Sequence, residues 1–330
     1  MENVKNQLYM APLEGITGYI FRNALAAHFG EGIDKYFTPF FMPHEKRAFS
    51  DKELREILPG NNTGISLVPQ IMTNDADDFT RLKNEFRALG YTEVNINFGC
   101  PSRTVASKKR GAGALEDVDR LDRFFDAVYA KPDGEISVKT RLGVSNPEEF
   151  TQILKVYSKY PIKELIIHPR VLKEQYGGTV HRDIFMSTYE SYSGTLCYNG
   201  DIVSTQDYEG LLEDLTGVFE NAQKATKSIG SNMRPVNVMI GRGILRNPGL
   251  IREIATGRAA CNYEIEAFMS QLADDYSRVF SGQTPVLFKL KEIWNFLRDR
   301  YPEEEKTIKK LLKSRTMSEY KMYEKAILGR

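Results

Sequence analysis

Eight short runs rich in β-branched and aromatic residues constrain this chain more than any other feature. They are Gln7–Ala11, Lys35–Phe41, Gly64–Gln70, Thr92–Phe98, Glu135–Thr140, Glu164–His168, Thr195–Asn199 and Val236–Ile240. Segments of helical period lie between most of them: Phe21–Phe29, Asp75–Leu89, Val118–Tyr129, Pro147–Tyr160 and Thr205–Leu212. Strands alternating with helices read as βαβ units, whose strands lie parallel. Eight units in about 245 residues predict an α/β fold of the (β/α)8 TIM-barrel type, whose usual size is ~250 residues. A doubly wound open sheet competes, but it usually has fewer strands, and no GxGxxG opens the first helix.

After Pro248 the pattern becomes helical only. Ala267–Ser281, Pro285–Tyr301, Glu303–Lys313 and Met317–Leu328 are the candidates, with Leu290, Ile293, Trp294 and Leu297 forming one stripe. The expected organisation is a barrel over residues 1–248 and a small all-helical C-terminal domain over 249–330. Formal net charge is +1, yet Val286–Arg330 holds 12 Lys/Arg against 7 Asp/Glu. Lys306, Lys309, Lys310, Lys313 and Arg315 crowd one short helix and the turn after it. They are candidate polyanion contacts or simply a solvated face, and charge alone leaves both readings open.

No apolar run approaches the ~20 residues of a membrane helix. The N-terminal MENVKNQLYMAPLEG lacks a basic stretch followed by an apolar core, so no secretory signal is expected. Cys100, Cys197 and Cys261 lie far apart, which favours a reducing cytoplasm over a disulfide framework. The four histidines show no metal-ligand spacing, so no metal is expected.

Residues with useful chemistry fall at or just after the ends of the strand runs. Pro12 and Glu14 follow the first, and Gln70 ends the third. Asn97 and Cys100 mark the fourth, Lys139 and Arg141 the fifth, and His168 and Arg170 the sixth. Asn199 and Asp201 mark the seventh, and Gly241 and Arg242 follow the eighth. A barrel gathers its strand ends on one face, so these side chains are expected to converge.

Each has its own chemistry. Cys100 precedes a basic loop carrying Arg103, Lys108, Lys109 and Arg110. It reads as a proton-transferring or nucleophilic thiol facing an anionic ligand, or as a structural cysteine. Lys139 should point into the mouth, where a cation needs an anion or an electron-rich ring; Schiff-base chemistry and flavin stabilisation both fit. His168 reads as a ligand contact or as a satisfied core residue. Asn199-Gly200-Asp201 and Gly241-Arg242-Gly243 stand where barrels often bind phosphate, although tight turns also need glycine.

Together these residues resemble the tRNA-dihydrouridine synthase family. The resemblance runs from about Met10 to Ile244. It rests on Ala11-Pro12-Leu13-Glu14-Gly15-Ile16-Thr17, Asn97-Phe98-Gly99-Cys100-Pro101 and Val138-Lys139-Thr140-Arg141-Leu142-Gly143. His168-Pro169-Arg170, Gln175-Tyr176-Gly177-Gly178, Asn199-Gly200-Asp201-Ile202 and Gly241-Arg242-Gly243 complete it. Leu13, Gly18, Asn95 and Val171 depart from the usual methionine, aspartate, aspartate and threonine.

The resemblance implies reduction of uridine to dihydrouridine in tRNA, with FMN as cofactor and NADPH as reductant. It assigns Cys100 as general acid and Lys139 as a contact of the flavin ring. Gln70 and His168 would hold the isoalloxazine and ribityl portions, and Pro12, Leu13 and Glu14 would line the flavin. Asn199, Gly200, Asp201, Gly241 and Arg242 would cradle its phosphate end. Asn97 would orient substrate or flavin, Arg141 and Arg170 would meet the substrate uridine or its phosphates, and the C-terminal lysines would meet tRNA. A cytoplasmic monomer is expected. Two other functions compete: a flavin oxidoreductase of a free pyrimidine, such as a dihydroorotate dehydrogenase, and an RNA-binding protein without catalysis. The first leaves the basic tail without a purpose, and intact Cys100 and Lys139 argue against the second.

Overall fold

The computed structural model describes residues 5–130, 133–226 and 233–329; residues 1–4 and 330, at the outer edges of the two expected domains, lie outside the described residues. Strands β1 (Leu8–Met10), β2 (Lys35–Phe41), β3 (Leu67–Ile71) and β4 (Glu93–Phe98) pair in chain order. They continue through β5 (Glu135–Arg141), β6 (Leu165–His168), β7 (Leu196–Tyr198) and β8 (Asn237–Ile240), all parallel. β8 returns to β1, with Met10 opposite Ile240, and closes a barrel. β3 starts at Leu67 rather than Gly64, because Gly64 holds φ +77°, outside strand geometry. β2 is bulged between Phe37 and Phe40. Pro39 has no N–H for the ladder, and Thr38 Oγ1 accepts the Gln70 amide at 2.9 Å.

Side-chain alternation divides the barrel into two cores. Along β4, Val94, Ile96 and Phe98 join the large core between strands and helices. Glu93, Asn95 and Asn97 instead bond to partners within the barrel. Tyr9, Phe37, Val68, Ile166, Cys197 and Met239 form an apolar plug of their own. The barrel is therefore filled below its mouth, as inward residues from alternate positions require.

The outer layer comprises α1 (Tyr19–Phe29), α2 (Asp51–Ile57), α3 (Ala76–Ala88), α4 (Arg103–Ala106), α5 (Val118–Tyr129) and α6 (Phe150–Tyr157). It continues with α7 (Arg182–Ser191), α8 (Thr205–Thr226), α9 (Arg242–Arg246) and α10 (Leu250–Thr256). Asp75 and Asp117 cap α3 and α5 by accepting the Asp78 and Arg120 amides, and Ser50 with Glu53 forms a capping box on α2. Helices α2, α4, α7, α9 and α10 go beyond the sequence expectation; all but α7 are short, so period alone marks them weakly.

Helices α11 (Asn262–Val279), α12 (Gln283–Leu297), α13 (Glu305–Lys313) and α14 (Met317–Leu328) complete the chain. Phe268 of α11 meets Phe21 and Phe29 of α1 edge to face, each at 5.7 Å between centroids. The buried Arg252 makes two 2.7 Å bonds to the Glu264 carboxylate, tying α10 to α11. The stripe of Leu290, Ile293, Trp294 and Leu297 is buried, and Trp294 Nε1 donates to the Tyr320 hydroxyl at 2.8 Å. Lys289 of α12 donates to the Gly15 carbonyl at 2.5 Å, which brings this bundle to the rim of the barrel mouth. Among the described residues no helix is long and apolar enough to cross a membrane.

Candidate active site

The strand carboxyl ends enclose a cleft open to solvent, with about 850 Å³ of empty space counted out to its mouth. Pro12, Leu13 and Glu14 line it from the β1 end, Gln70 from β3, and Asn97 and Cys100 from β4. Lys139, Arg141 and His168 line it from β5 and β6, and Asn199, Gly200, Asp201, Gly241 and Arg242 from the last two strand ends. Arg170 is not on the wall: it is buried, and both its terminal nitrogens reach Asp201, at 2.9 and 2.6 Å. Lys309, Lys310 and Lys313 are exposed on α13 and are likewise not on the wall.

The loop bearing Cys100 is held from two sides. Asn97 Oδ1 accepts the amides of Gly99 and Cys100 at 3.0 and 2.8 Å. Arg141 Nε donates to the Gly99 carbonyl at 2.8 Å, and its Nη1 donates to the Val171 carbonyl at 3.0 Å. Gly111 packs behind: a Cβ there would lie 2.8 Å from the Cys100 carbonyl, and φ is +54°. The glycine is thus required by close approach as well as by backbone conformation. Burial pushes the Cys100 thiol above its ordinary range, although the backbone at Ser102 and the nearby Arg141 and Lys139 oppose that.

Positive charge dominates the floor. Burial, aided by Arg141, brings the Lys139 ammonium down to about 8, and burial brings the Arg141 guanidinium to about 10. His168 is pushed well below its ordinary value by burial and then by Arg141, Lys139, Arg170 and Arg242. It is therefore neutral at pH 7 and can donate or accept a hydrogen bond without adding charge.

At the opposite end, Asp201 bridges two guanidiniums. It accepts from Arg170, and its Oδ1 also accepts Arg242 Nη2 at 2.6 Å. Burial would raise the Asp201 carboxyl, but Arg170 and Arg242 hold it below the usual value. Asn199 Nδ2 donates to the Met239 carbonyl at 2.7 Å, joining the two glycine turns. Gly243 allows no side chain, since a Cβ would meet the Ile202 carbonyl at 2.2 Å.

Tyr176 is the main wall residue to which sequence reasoning gave no role. Its ring lies 5.5 Å from Arg141 Cζ and 5.4 Å from Arg242 Cζ, so it sits between two cations. Arg242 Nη1 also donates to its carbonyl at 3.0 Å. The preceding Gln175 has φ +50°, and Glu174 accepts the Val171 amide at 2.7 Å, so the flap is stapled to the end of β6. The signal was the Gln175-Tyr176-Gly177-Gly178 motif, which lies in a loop rather than at a strand end. Pro39 and Phe40, at the bulged carboxyl end of β2, also line the cleft.

The sequence model of the family described as Dihydrouridine synthase (Dus) matches residues 9–325. The chain is 26% identical over 250 residues to tRNA-dihydrouridine synthase B of Pasteurella multocida, covering 76% of this chain and 69% of that protein. It is 26% identical over 260 residues to tRNA-dihydrouridine(16) synthase of Aquipseudomonas alcaligenes, covering 77% and 76%. A tRNA-dihydrouridine(16) synthase of Neisseria meningitidis serogroup B is 25% identical over 257 residues, covering 76% and 71%.

Proposed function

Since the chain belongs to the dihydrouridine synthase family, we propose that its barrel mouth binds FMN and that Cys100 protonates the substrate uracil. The protein is a flavin-dependent oxidoreductase that reduces uridine to 5,6-dihydrouridine in tRNA. NADPH is the reductant. The single observation that carries the site assignment is the convergence of Cys100, Lys139 and Arg141 on one wall of a cleft closed by two glycine turns.

The lining suits an anionic, partly aromatic cofactor. Lys139, Arg141, Arg170 and Arg242 outnumber Glu14 and Asp201 in and around the cleft. Gly200, Gly241 and Arg242, held by Asp201, would receive the phosphate. Lys139 would sit against the ring, with Gln70 and His168 as neutral hydrogen-bonding partners, and Pro12 and Leu13 as apolar wall. When bound and reduced, the flavin supplies hydride to C6 of uracil.

The chain's own residues supply the rest. Uracil C5 becomes basic as charge develops toward the C4 carbonyl. Cys100 holds a proton on Sγ at neutral pH, because burial keeps its thiol above the ordinary range, and transfers it to C5. Asn97 and Arg141 keep the Cys100 turn rigid, so the thiol arrives without reorganisation. Tyr176, 49% exposed at the cleft, offers aromatic surface for a base taken out of its helix. Arg170 acts through Asp201 rather than on the uridine.

We assign residues 1–248 to catalysis and 249–330 to tRNA binding, in a cytoplasmic monomer. Lys309, Lys310 and Lys313 are solvent-facing on α13, suited to phosphate contacts. The test is anaerobic: protein loaded with FMN and reduced by NADPH is mixed with an unmodified tRNA transcript. Flavin reoxidation matched by dihydrouridine in the tRNA is expected. Reoxidation by orotate or free uridine, with none by tRNA, would overturn the assignment in favour of a free-pyrimidine enzyme.

A further inference from the structure

A chain of side-chain hydrogen bonds crosses the barrel interior from the Cys100 loop toward its opposite end. Asn97 Nδ2 donates to Gln70 Oε1 at 2.6 Å. Gln70 Nε2 donates to Asn95 Oδ1 at 2.8 Å, and Asn95 Nδ2 donates to Ser137 Oγ at 2.9 Å. The Ser137 hydroxyl donates to Glu93 Oε1 at 2.8 Å. Glu93 Oε2 faces two ammonium groups, Lys35 and Lys163, each at 2.9 Å. All five chain residues are buried.

The chain runs one way, and its ends show why. A carboxylate can only accept, so Ser137 must donate to Glu93 and therefore accepts from Asn95. That orients the Asn95 amide, which orients Gln70, which orients Asn97. At the far end the Gly99 and Cys100 amides can only donate, so they require the Asn97 oxygen. Reversing the amides would set the Asn97 NH₂ against two N–H groups in a dry interior, leaving donors unsatisfied. Burial would raise the Glu93 carboxyl, but Lys35, Lys163 and Ser137 hold it below the ordinary value, so the accepting end stays ionised.

We infer that Glu93, Ser137 and Asn95 are positioning residues for the active site, setting from inside the barrel the amide orientations that hold the Cys100 turn and aim Gln70 at the cleft. None of the three touches the cleft wall. The kinetic part of this inference rests on Cys100 as proton donor; the structural part does not.

The test reads Cys100 directly. Iodoacetamide alkylation is followed at the Cys100 peptide by mass spectrometry as a function of pH, and kcat and KM for tRNA are measured on the same FMN-loaded proteins. The charged and titratable groups facing the thiol are Glu14, Lys139, Arg141 and Tyr176, and all are unchanged in the variants. Ser137→Ala and Asn95→Leu cut the chain, loosen the turn and expose the thiol. The alkylation profile then moves to lower pH, with a rate gain at neutral pH of about three- to fourfold for each unit, because a more acidic thiolate is also a weaker nucleophile. The value of kcat falls by roughly tenfold or more, as misplacement of a reacting group would cause, while KM holds.

Tyr157→Phe removes another buried hydroxyl, one bonded to Thr140 and off the chain, and keeps the wild-type profile. A wild-type profile and kcat in Ser137→Ala and Asn95→Leu would overturn the inference, as would an equal shift in Tyr157→Phe. Should Asn95→Leu not fold, Ser137→Ala decides alone. Should Cys100→Ala retain full turnover, the donor assignment fails, and the alkylation profiles still decide this one.

Discussion

The side-chain oxygen of Asn97 lies 2.8 Å from the Cys100 amide nitrogen and accepts its hydrogen. A residue three positions earlier, at the last inward position of β4, thus fixes the turn on which the thiol stands. Arg141 secures the same turn from β5 through the Gly99 carbonyl. The thiol is placed by the barrel's rigid strands rather than by its own exposed loop, as the proposed role of proton donor requires.

Replacing Cys100 with alanine should lower dihydrouridine formation by roughly 10²-fold or more, the usual scale of general acid catalysis. FMN content and reduction by NADPH should be unchanged, because neither needs the thiol. Single-turnover mixing of the reduced variant with tRNA checks this, and near-normal turnover would reject the assignment.

FMN affinity should be pH-dependent through Lys139, whose free-protein pKa of about 8 is low because of burial. An anion in the cleft favours the ammonium form, so the lysine's contribution is fully present below about 8 and is lost as pH rises through the higher pKa of the complex. Lys139→Met should weaken binding at pH 7 by about 1.5–3 kcal/mol, the scale of a hydrogen bond to a charged group. The variant should also flatten the alkaline fall, as flavin fluorescence titration will show.

Arg242 and Arg141 should separate cleanly. Arg242 lies at the cleft's glycine end, and Arg242→Ala should release FMN on dialysis with little change in melting temperature. Arg141 is 1% exposed and satisfies two buried carbonyls. Arg141→Ala should lower the melting temperature, since each stranded carbonyl costs about 1–3 kcal/mol. Equal flavin retention in the two variants would show the glycine turns to be misassigned.

The triple variant Lys309→Ala, Lys310→Ala, Lys313→Ala should weaken tRNA binding. It should reduce the magnitude of the salt slope by up to about 1 per lost phosphate contact. Lys309 already pairs with Glu305 at 2.7 Å, so its share should be the smallest of the three. FMN content should be unaffected. An unchanged slope would move the RNA to the exposed Arg103–Arg110 loop beside Cys100.

Strand ends and the convergence of side chains were legible in the sequence because inward positions recur every second residue and a parallel barrel gathers its carboxyl ends on one face. Gln70, Asn97, Lys139, His168 and Asn199 could be named for that reason. Tyr176 stands in a loop motif, and a loop has no period from which its place could be read. The family resemblance makes Arg170 a substrate contact, and only packing turns it toward Asp201. The chain from Asn97 to Glu93 was invisible: its partners sit on three strands, and hydrogen-bond direction follows from what stands at each end. Sequence pattern alone determined the barrel and its mouth, since both follow from local period. Which polar groups meet across the interior, and which way they point, was decided only by closure of the barrel, because burial forces every donor there to find an acceptor.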